Sequence, residues 1–338
     1  MNKSKRQVHC AIIFFLVFIL YVKTAYRSVA GGDSGELVAQ TCRLGVAHPP
    51  GVTYRRSLSL SLSLTHTHNT YAQYPLFTMI NFIATKVLGF MGGSPAFRSN
   101  LVSAFLDSLA ATISFLSVEM WTAGTKAYEP SAATGSAILF AVSPLIWTYA
   151  ISSEVFAMNN FFASVLIYLV VRHAKFGRRK DVFLGAFVCG LAMTNQHTIV
   201  LFEIPLIISV LLREYRIGNL TQEVLGQSAL CFLVGLLPYL YLPISTILLP
   251  VDGGGWGDTK SIQGLIRHIR RADYGTFALY SGSRSGQHVE DLLQRFEAYV
   301  TFFFHQLILK RSSHERTSGT SRIYVSDRLL DSSSCLWS

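Results

Sequence analysis

Eight apolar runs separated by short polar loops restrict the folds that this chain can adopt. They lie near 11–29, 76–92, 100–120, 133–151, 155–171, 182–194, 198–212 and 228–249. A helix needs roughly 17–25 mostly apolar residues to cross the hydrocarbon core of a bilayer. Only 14% of the residues are charged, whereas soluble domains carry about 25%. The pattern predicts an all-α polytopic membrane protein.

The net charge of +10 does not indicate a nucleic-acid partner. The basic residues cluster in short loops beside apolar runs, which is typical of topology signals. The densest loop, 172–180, is predicted to be cytosolic. Lys3, Lys5 and Arg6 precede the first run. We interpret that run as an uncleaved span with a cytosolic N-terminus, and a secretory signal peptide is the alternative.

About seven spans follow from these loop charges. Successive loops must lie on alternate sides of the membrane, so 76–92 is predicted to be a helix lying on the luminal surface rather than a span. Its start after Pro75 and its polar Asn81 and Lys86 favour that interpretation. Eight plain spans are the alternative.

Polar motifs that are far apart in the sequence fall on the luminal side in the seven-span topology. They include Asp33, Glu36, His48, Glu154, His197, Arg270 and Arg271. Asp33 and Glu36 come directly after the first span. Carboxylates are costly inside hydrocarbon, so this position suits chemistry at the membrane surface.

Two segments differ from the rest of the chain. Residues 57–68 alternate Ser-Leu and then Thr-His, which is what dinucleotide repeats encode, so 52–73 is interpreted as an inserted, translated repeat. A genuine strand is the alternative. The polar tail 310–338 is predicted to be disordered or aberrant.

A family resemblance appears when 52–73 is set aside. Asp33-Ser34-Gly35-Glu36, Leu44–Gly51 and Tyr74–Phe77 then form one motif. It resembles the transmembrane protein 260 family of the GT-C glycosyltransferase superfamily. Further matching segments are 153–156, 194–198, 256–258 and 271–275. The resemblance covers about 10–309 apart from the insertion. It implies a helical catalytic domain of GT-C type over 1–309, although family members continue beyond the end of this chain.

The resemblance implies transfer of mannose from dolichyl phosphate to Ser or Thr hydroxyls of proteins in the endoplasmic reticulum. The family's eukaryotic members look directed at IPT domains of plexin-like receptors. The lipid-linked sugar is a co-substrate, and neither a cofactor nor a bound metal is expected.

Asp33 is the candidate base for this transfer. A carboxylate within reach of the acceptor hydroxyl takes its proton as the sugar carbon is attacked, and an inverting reaction needs only one such base. Glu36 is the alternative base or orients the acceptor. Asp33 and Glu36 also match a capping box for a helix that begins near Ser34.

The other candidates are assigned to substrate binding. Arg270 and Arg271 suit the phosphate of the leaving lipid, or the anchoring of lipid head groups. His197 is a lesser candidate or a helix cap, and His48 binds substrate or structures a turn before Pro49. Glu154 is a site residue or a solvated helix end.

Two other classes of function remain open. A membrane transporter would need charged residues inside its spans, and Asp107 and Glu203 are the candidates. A non-catalytic product of aberrant splicing is the other alternative, because the insertion interrupts the first luminal loop.

Overall fold

The computed structural model describes residues 3–44, 74–125 and 130–248, with Gln263 and Ile266. The regular structure of these residues is helical. The α-helices are α1 (Lys3–Thr24), α2 (Ser34–Arg43), α3 (Pro75–Val87), α4 (Pro95–Thr122), α5 (Pro130–Ala141), α6 (Pro144–Ala150), α7 (Phe156–Phe176), α8 (Arg179–Met193), α9 (Val200–Arg216), α10 (Gln222–Gly235) and α11 (Tyr241–Leu248). The predictions for His48, 52–73, 256–258, 270–275 and 310–338 lie outside the described residues.

Local chemistry explains several helix ends. Pro occupies the first position of α3, α4 and α6, where its missing N–H costs no helical hydrogen bond. At α4, the Ser94 hydroxyl also accepts a hydrogen bond from the Phe97 N–H at 3.1 Å. Helix α7 ends at Gly177, whose φ of 63° lies in the left-handed region.

Helix α4 is the centre of one half of the bundle, where it packs against α1, α5 and α7. Ala104, Ala111 and Ala137 are fully buried in this cluster. Such small side chains allow helix backbones to approach closely. The buried Tyr21 hydroxyl of α1 donates a hydrogen bond to the Ala141 carbonyl at 2.8 Å, which joins α1 to the end of α5.

Helices α8 and α10 cross in close contact in the other half. A Cβ added at Gly190 would lie far inside contact distance of the Phe232 carbonyl oxygen, and one at Gly235 would overlap the Phe187 carbonyl oxygen in the same way. Both positions therefore require glycine for the helices to approach as they do.

For the residues that it describes, the structure confirms the all-helical prediction and shows several membrane-length helices, but it does not confirm seven spans. Within the described residues, four helices or helix pairs are long and apolar enough to cross a bilayer, Ser4–Thr24, Pro95–Thr122, Phe156–Phe176 and Gln222–Ser245. Helices α5 and α6 make a fifth if their pair, bent by 64°, is one span. Helices α8 and α9 have only 15 and 17 residues.

Helix α3 is too short to count as a span, but one reason for placing it at a surface was wrong. Asn81 is fully buried and therefore is not a residue that faces an aqueous interface. Lys86 is exposed, with its ammonium over the Phe82 ring.

Substituting Gly190 or Gly235 by Ala should destabilise the protein by about 1–3 kcal/mol, because the added methyl group forces α8 and α10 apart. Gly226→Ala in α10 is the matched control, since a Cβ there meets nothing within 4 Å, and it should be neutral or stabilising by up to about 1 kcal/mol. Thermal unfolding in one detergent measures all three. Equal midpoints for Gly190→Ala and Gly226→Ala would contradict the close crossing.

Candidate functional site

The segment that joins α1 to α2 is held by the first turns of α4 and by the end of α6. The Asn100 side chain donates a hydrogen bond to the Tyr26 carbonyl at 2.7 Å, and the Ser94 hydroxyl donates one to the Arg27 carbonyl at 2.8 Å. The Tyr26 N–H donates to the Ile151 carbonyl at 3.2 Å. These contacts fix the backbone that leads to the start of α2.

The N-terminus of α2 donates hydrogen bonds to Glu154. The Ser34 hydroxyl donates a hydrogen bond to its Oε1 at 3.3 Å, and the backbone N–H groups of Asp33 and Ser34 also donate to its carboxylate. These N–H groups have no acceptor inside the helix, and a negative charge is favourable at a helix N-terminus. A residue 120 positions away therefore supplies the acceptor for the start of α2.

Gly32 makes this approach possible. Its φ of 69° lies in the left-handed region, and an added Cβ would lie 3.2 Å from the Glu154 Oε1. A side chain here would meet both backbone strain and the carboxylate. The glycine therefore lets the chain turn over Glu154 before α2 begins.

The two acidic side chains have different environments. Asp33 is exposed, whereas Glu154 is only 9% exposed. The pKa of Glu154 is raised to about 7, mainly because the carboxyl group is buried and also because of the negative charge of Asp33, while the hydrogen bonds from Ser34 and Asp33 oppose the rise. Near neutral pH the buried Glu154 carboxyl group is thus partly protonated, and it lies beside the exposed Asp33.

A buried polar cluster holds the turn that carries Glu154. The Ser99 hydroxyl of α4 lies 2.6 Å from both the Asn81 Oδ1 of α3 and the Ser153 hydroxyl. All three residues are fully buried. Because buried polar groups need partners, this cluster fixes α3, α4 and the turn before α7 relative to one another.

The Thr194–His197 motif contacts the same turn. The Asn195 side chain donates hydrogen bonds to the Val155 carbonyl at 3.0 Å and to the Asn159 Oδ1 at 2.7 Å. Asn159 in turn donates to Gln196. The loop after α8 is therefore joined to the first turn of α7, directly after Glu154.

His197 is the next residue of this loop. The Tyr239 hydroxyl donates its hydrogen to the Met193 carbonyl at 2.8 Å, and its oxygen is hydrogen-bonded to the His197 Nε2. These contacts join the loop after α8 to the segment after α10, as expected for a structural role. The substrate-binding role of His197 stays a prediction.

The structure thus brings together Asp33 and Glu154, with Glu36 partly buried in the first turn of α2. The capping-box alternative is wrong in its main feature. Helix α2 does begin at Ser34, but the Asp33 side chain makes no capping hydrogen bond. Glu154 is buried rather than a solvated helix end. His48, Arg270 and Arg271 lie outside the described residues.

Several residues that build the site were not predicted from the sequence. They are Gly32, Asn81, Ser99, Asn100 and Ser153. A signal was available for three of them, since Ser99 and Asn100 are polar residues in the first turns of α4 and Ser153 directly precedes Glu154. Within the described residues, no group of three or more His, Cys, Asp or Glu side chains is arranged to hold a metal ion.

The sequence matches a family model and curated proteins. Residues 57–220 match the family model of the protein O-mannosyl-transferase TMEM260 N-terminal domain. The chain is 36% identical to the mouse protein O-mannosyl-transferase TMEM260 over 289 residues, which are 83% of this chain and 36% of the relative. The chain belongs to the TMEM260 family.

A second relative comes from Dictyostelium discoideum. The protein O-mannosyl-transferase tmem260 of that organism is 32% identical over 293 residues, 82% of this chain and 32% of the relative. The chain therefore spans about a third of the length of these curated TMEM260 relatives. The range matched by the family model includes Glu154 and His197, whereas Asp33 and Glu36 precede it. No solved structure matches the chain.

Glu154→Gln should change how stability depends on pH. The pKa of Glu154 is raised from 4.5 to about 7, so the folded state binds this proton more tightly than the unfolded chain does. The wild-type protein should lose up to about 3 kcal/mol of stability as the pH rises from about 4.5 to 7. Glu154→Gln keeps an oxygen acceptor for Ser34 and should not show this loss.

Unfolding midpoints between pH 4.5 and 8 measure the difference between the two proteins. Glu223→Gln is the control, because Glu223 is an exposed carboxyl group at the start of α10, and its curve should run parallel to that of the wild type. A parallel curve for Glu154→Gln would show that the Glu154 carboxyl group is not the titrating group.

Proposed function

We propose that this chain carries the luminal acceptor site of a protein O-mannosyltransferase, which moves mannose from dolichyl phosphate to a Ser or Thr hydroxyl of a protein. The names of the relatives support mannosyl transfer to protein. The observation that carries the proposal is the exposed Asp33 carboxylate, held at the start of α2 by the buried Glu154.

Asp33 is the base in this proposal. The acceptor hydroxyl oxygen attacks the anomeric carbon of mannose, the bond to the lipid phosphate breaks, and the hydroxyl proton passes to the Asp33 carboxylate. Exposure makes the Asp33 side chain accessible to a protein acceptor. Attack opposite the phosphate inverts the anomeric centre, so no covalent enzyme intermediate forms.

Glu154 is a positioning residue and not a second base. Its carboxylate is buried and already accepts hydrogen bonds from the start of α2. It therefore fixes the backbone on which Asp33 is carried. Glu36, one turn into α2, is proposed to orient the acceptor.

The remaining parts of the proposal concern the donor and its setting. Arg270 and Arg271 would stabilise the leaving phosphate, with His48 and His197 as further substrate contacts. The enzyme is proposed to be a GT-C-type bundle of about seven spans in the membrane of the endoplasmic reticulum, with a cytosolic N-terminus. IPT domains of plexin-like receptors are the proposed acceptors.

Transport is the weaker alternative. It rested on Asp107 and Glu203, which are both buried in helices. Asp107 faces Asn160 of α7, whereas Glu203 faces Cys189 of α8. The two carboxyl groups have different neighbours, so no contact between them supports a shared polar path.

The proposal is tested by transfer of mannose from dolichyl-phosphate mannose to a purified plexin-like IPT domain, with hexose addition measured by mass spectrometry. Asp33→Asn should lower the rate by 10²–10⁴-fold, which is the usual contribution of a general base. Glu36→Gln should lower the rate far less.

Glu223→Gln provides the matched control, since it neutralises an exposed carboxylate away from the site and should leave the rate unchanged. Full activity of Asp33→Asn would exclude Asp33 as the base. Absence of hexose on the acceptor with the wild-type chain would overturn the proposed function of this chain.

A further inference from the structure

A groove of about 380 Å³ runs along α8 between α7, α9 and α10. Its walls are almost entirely carbon, from residues such as Leu169, Val182, Leu206, Ile207 and Phe232. It lies apart from the contacts between Asp33 and Glu154, and the proposed transfer reaction does not use it.

The packing of the helices explains why the groove exists. Helices α8 and α10 are drawn together where Gly190 meets Gly235, whereas α9 packs only loosely against both α7 and α8. Small residues line the space that is left, including Gly185, where an added Cβ would meet nothing within 4 Å. The groove is therefore a gap between helices that the side chains do not fill.

One end of the groove is polar. His173 and Asp181 line it there. The Asp181 Oδ1 accepts hydrogen bonds from the Arg172 guanidinium, one of them at 2.9 Å. Its Oδ2 is buried and has no hydrogen-bond partner within the described part of the chain, and Asp181 as a whole is 2% exposed. A ligand in the groove would meet an unused acceptor at this end.

The same end carries an excess of positive charge. Arg178, Arg179 and Lys180 are exposed directly before Asp181. The buried Glu214 is already hydrogen-bonded to His173 at 2.8 Å and to Arg213 at 3.3 Å. Since both nearby carboxylates have cationic or imidazole partners, the basic residues 178–180 give this end a positive field.

We propose that the groove binds one acyl chain of an anionic phospholipid. The apolar walls enclose the chain, the basic residues 178–180 attract the phosphate, and the Asp181 Oδ2 accepts a hydrogen bond from the head group. Phosphatidylserine has this combination of an anionic phosphate, a long acyl chain and an ammonium donor. The positive end and the carbon walls together match a phospholipid, which is anionic at one end and apolar along its length.

The test places the full chain in nanodiscs of phosphatidylcholine and phosphatidylserine at roughly 4:1, extracts it in mild detergent, and identifies retained lipid by native mass spectrometry. The wild-type chain should retain one phosphatidylserine in preference to phosphatidylcholine. Gly185→Phe should lower the retained lipid about tenfold, because the Cβ has room at this position and the ring would then occupy the groove.

Gly226→Phe is the matched control. Gly226 is also helical and also open, but it does not line the groove, so this variant should retain lipid as the wild type does. Retention by Gly185→Phe at the wild-type level would overturn the proposal, as would a wild-type chain that holds no lipid because another protein segment fills the groove.

A triple substitution of Arg178, Arg179 and Lys180 by Gln tests the head-group end. It should leave the amount of retained lipid similar but reduce the preference for phosphatidylserine to about that for phosphatidylcholine. A preference that survives the triple substitution would show that the charge of residues 178–180 does not select the lipid. Added glycerophosphoserine, which lacks acyl chains, should not displace the bound lipid.

Discussion

The contact between the Glu154 carboxyl group and the start of α2 determines where the acidic motif of the first loop lies. Ser34 and the backbone of Asp33 donate to that carboxyl group, and Gly32 provides the turn that lets them approach. The base proposed for mannosyl transfer is exposed, and a second acid is buried beside it. One carboxyl group positions the loop, and the other remains available to a substrate.

Polar side chains from α3, α4 and the loop after α8 hold the turn that carries Glu154. The Asn81–Ser99–Ser153 cluster fixes the turn before α7, and Asn195 fixes the turn's other side through the Val155 carbonyl. Buried hydrogen bonds between helices are specific because an unpaired polar group is costly in an apolar surrounding. The site is thus built from polar contacts within an otherwise apolar helical protein.

The helices were largely predictable from the sequence, whereas the site was only partly so. Apolar runs predict helices wherever they are long, and α4 and α7 lie where such runs lie. The run 133–151 looked continuous, but it breaks before Pro144, because proline disfavours a helical conformation in the preceding residue. Asn81 was interpreted as a surface residue because a single polar residue in an apolar run does not reveal its partner.

The pairing of Glu154 with Ser34 had no local signal at all, since 120 residues separate them. The predicted topology placed both residues on the luminal side of the membrane, but it could not show that they are neighbours. The capping-box interpretation of Asp33 failed for the same reason. The local pattern predicted that Asp33 and Glu36, three positions apart, cap the start of α2 for each other. In the fold, Glu154 accepts the hydrogen bonds from the N–H groups of Asp33 and Ser34 instead.

The most direct test of this account is the coupling free energy between Ser34 and Glu154, measured by unfolding Ser34→Ala, Glu154→Ala and the double variant, because each single substitution removes the hydrogen bond between them. The two side chains touch, so their effects should be non-additive, with a coupling of about 0.5–3 kcal/mol. Additive effects would show that Glu154 does not hold the start of α2, and the proposed position of Asp33 would lose its support.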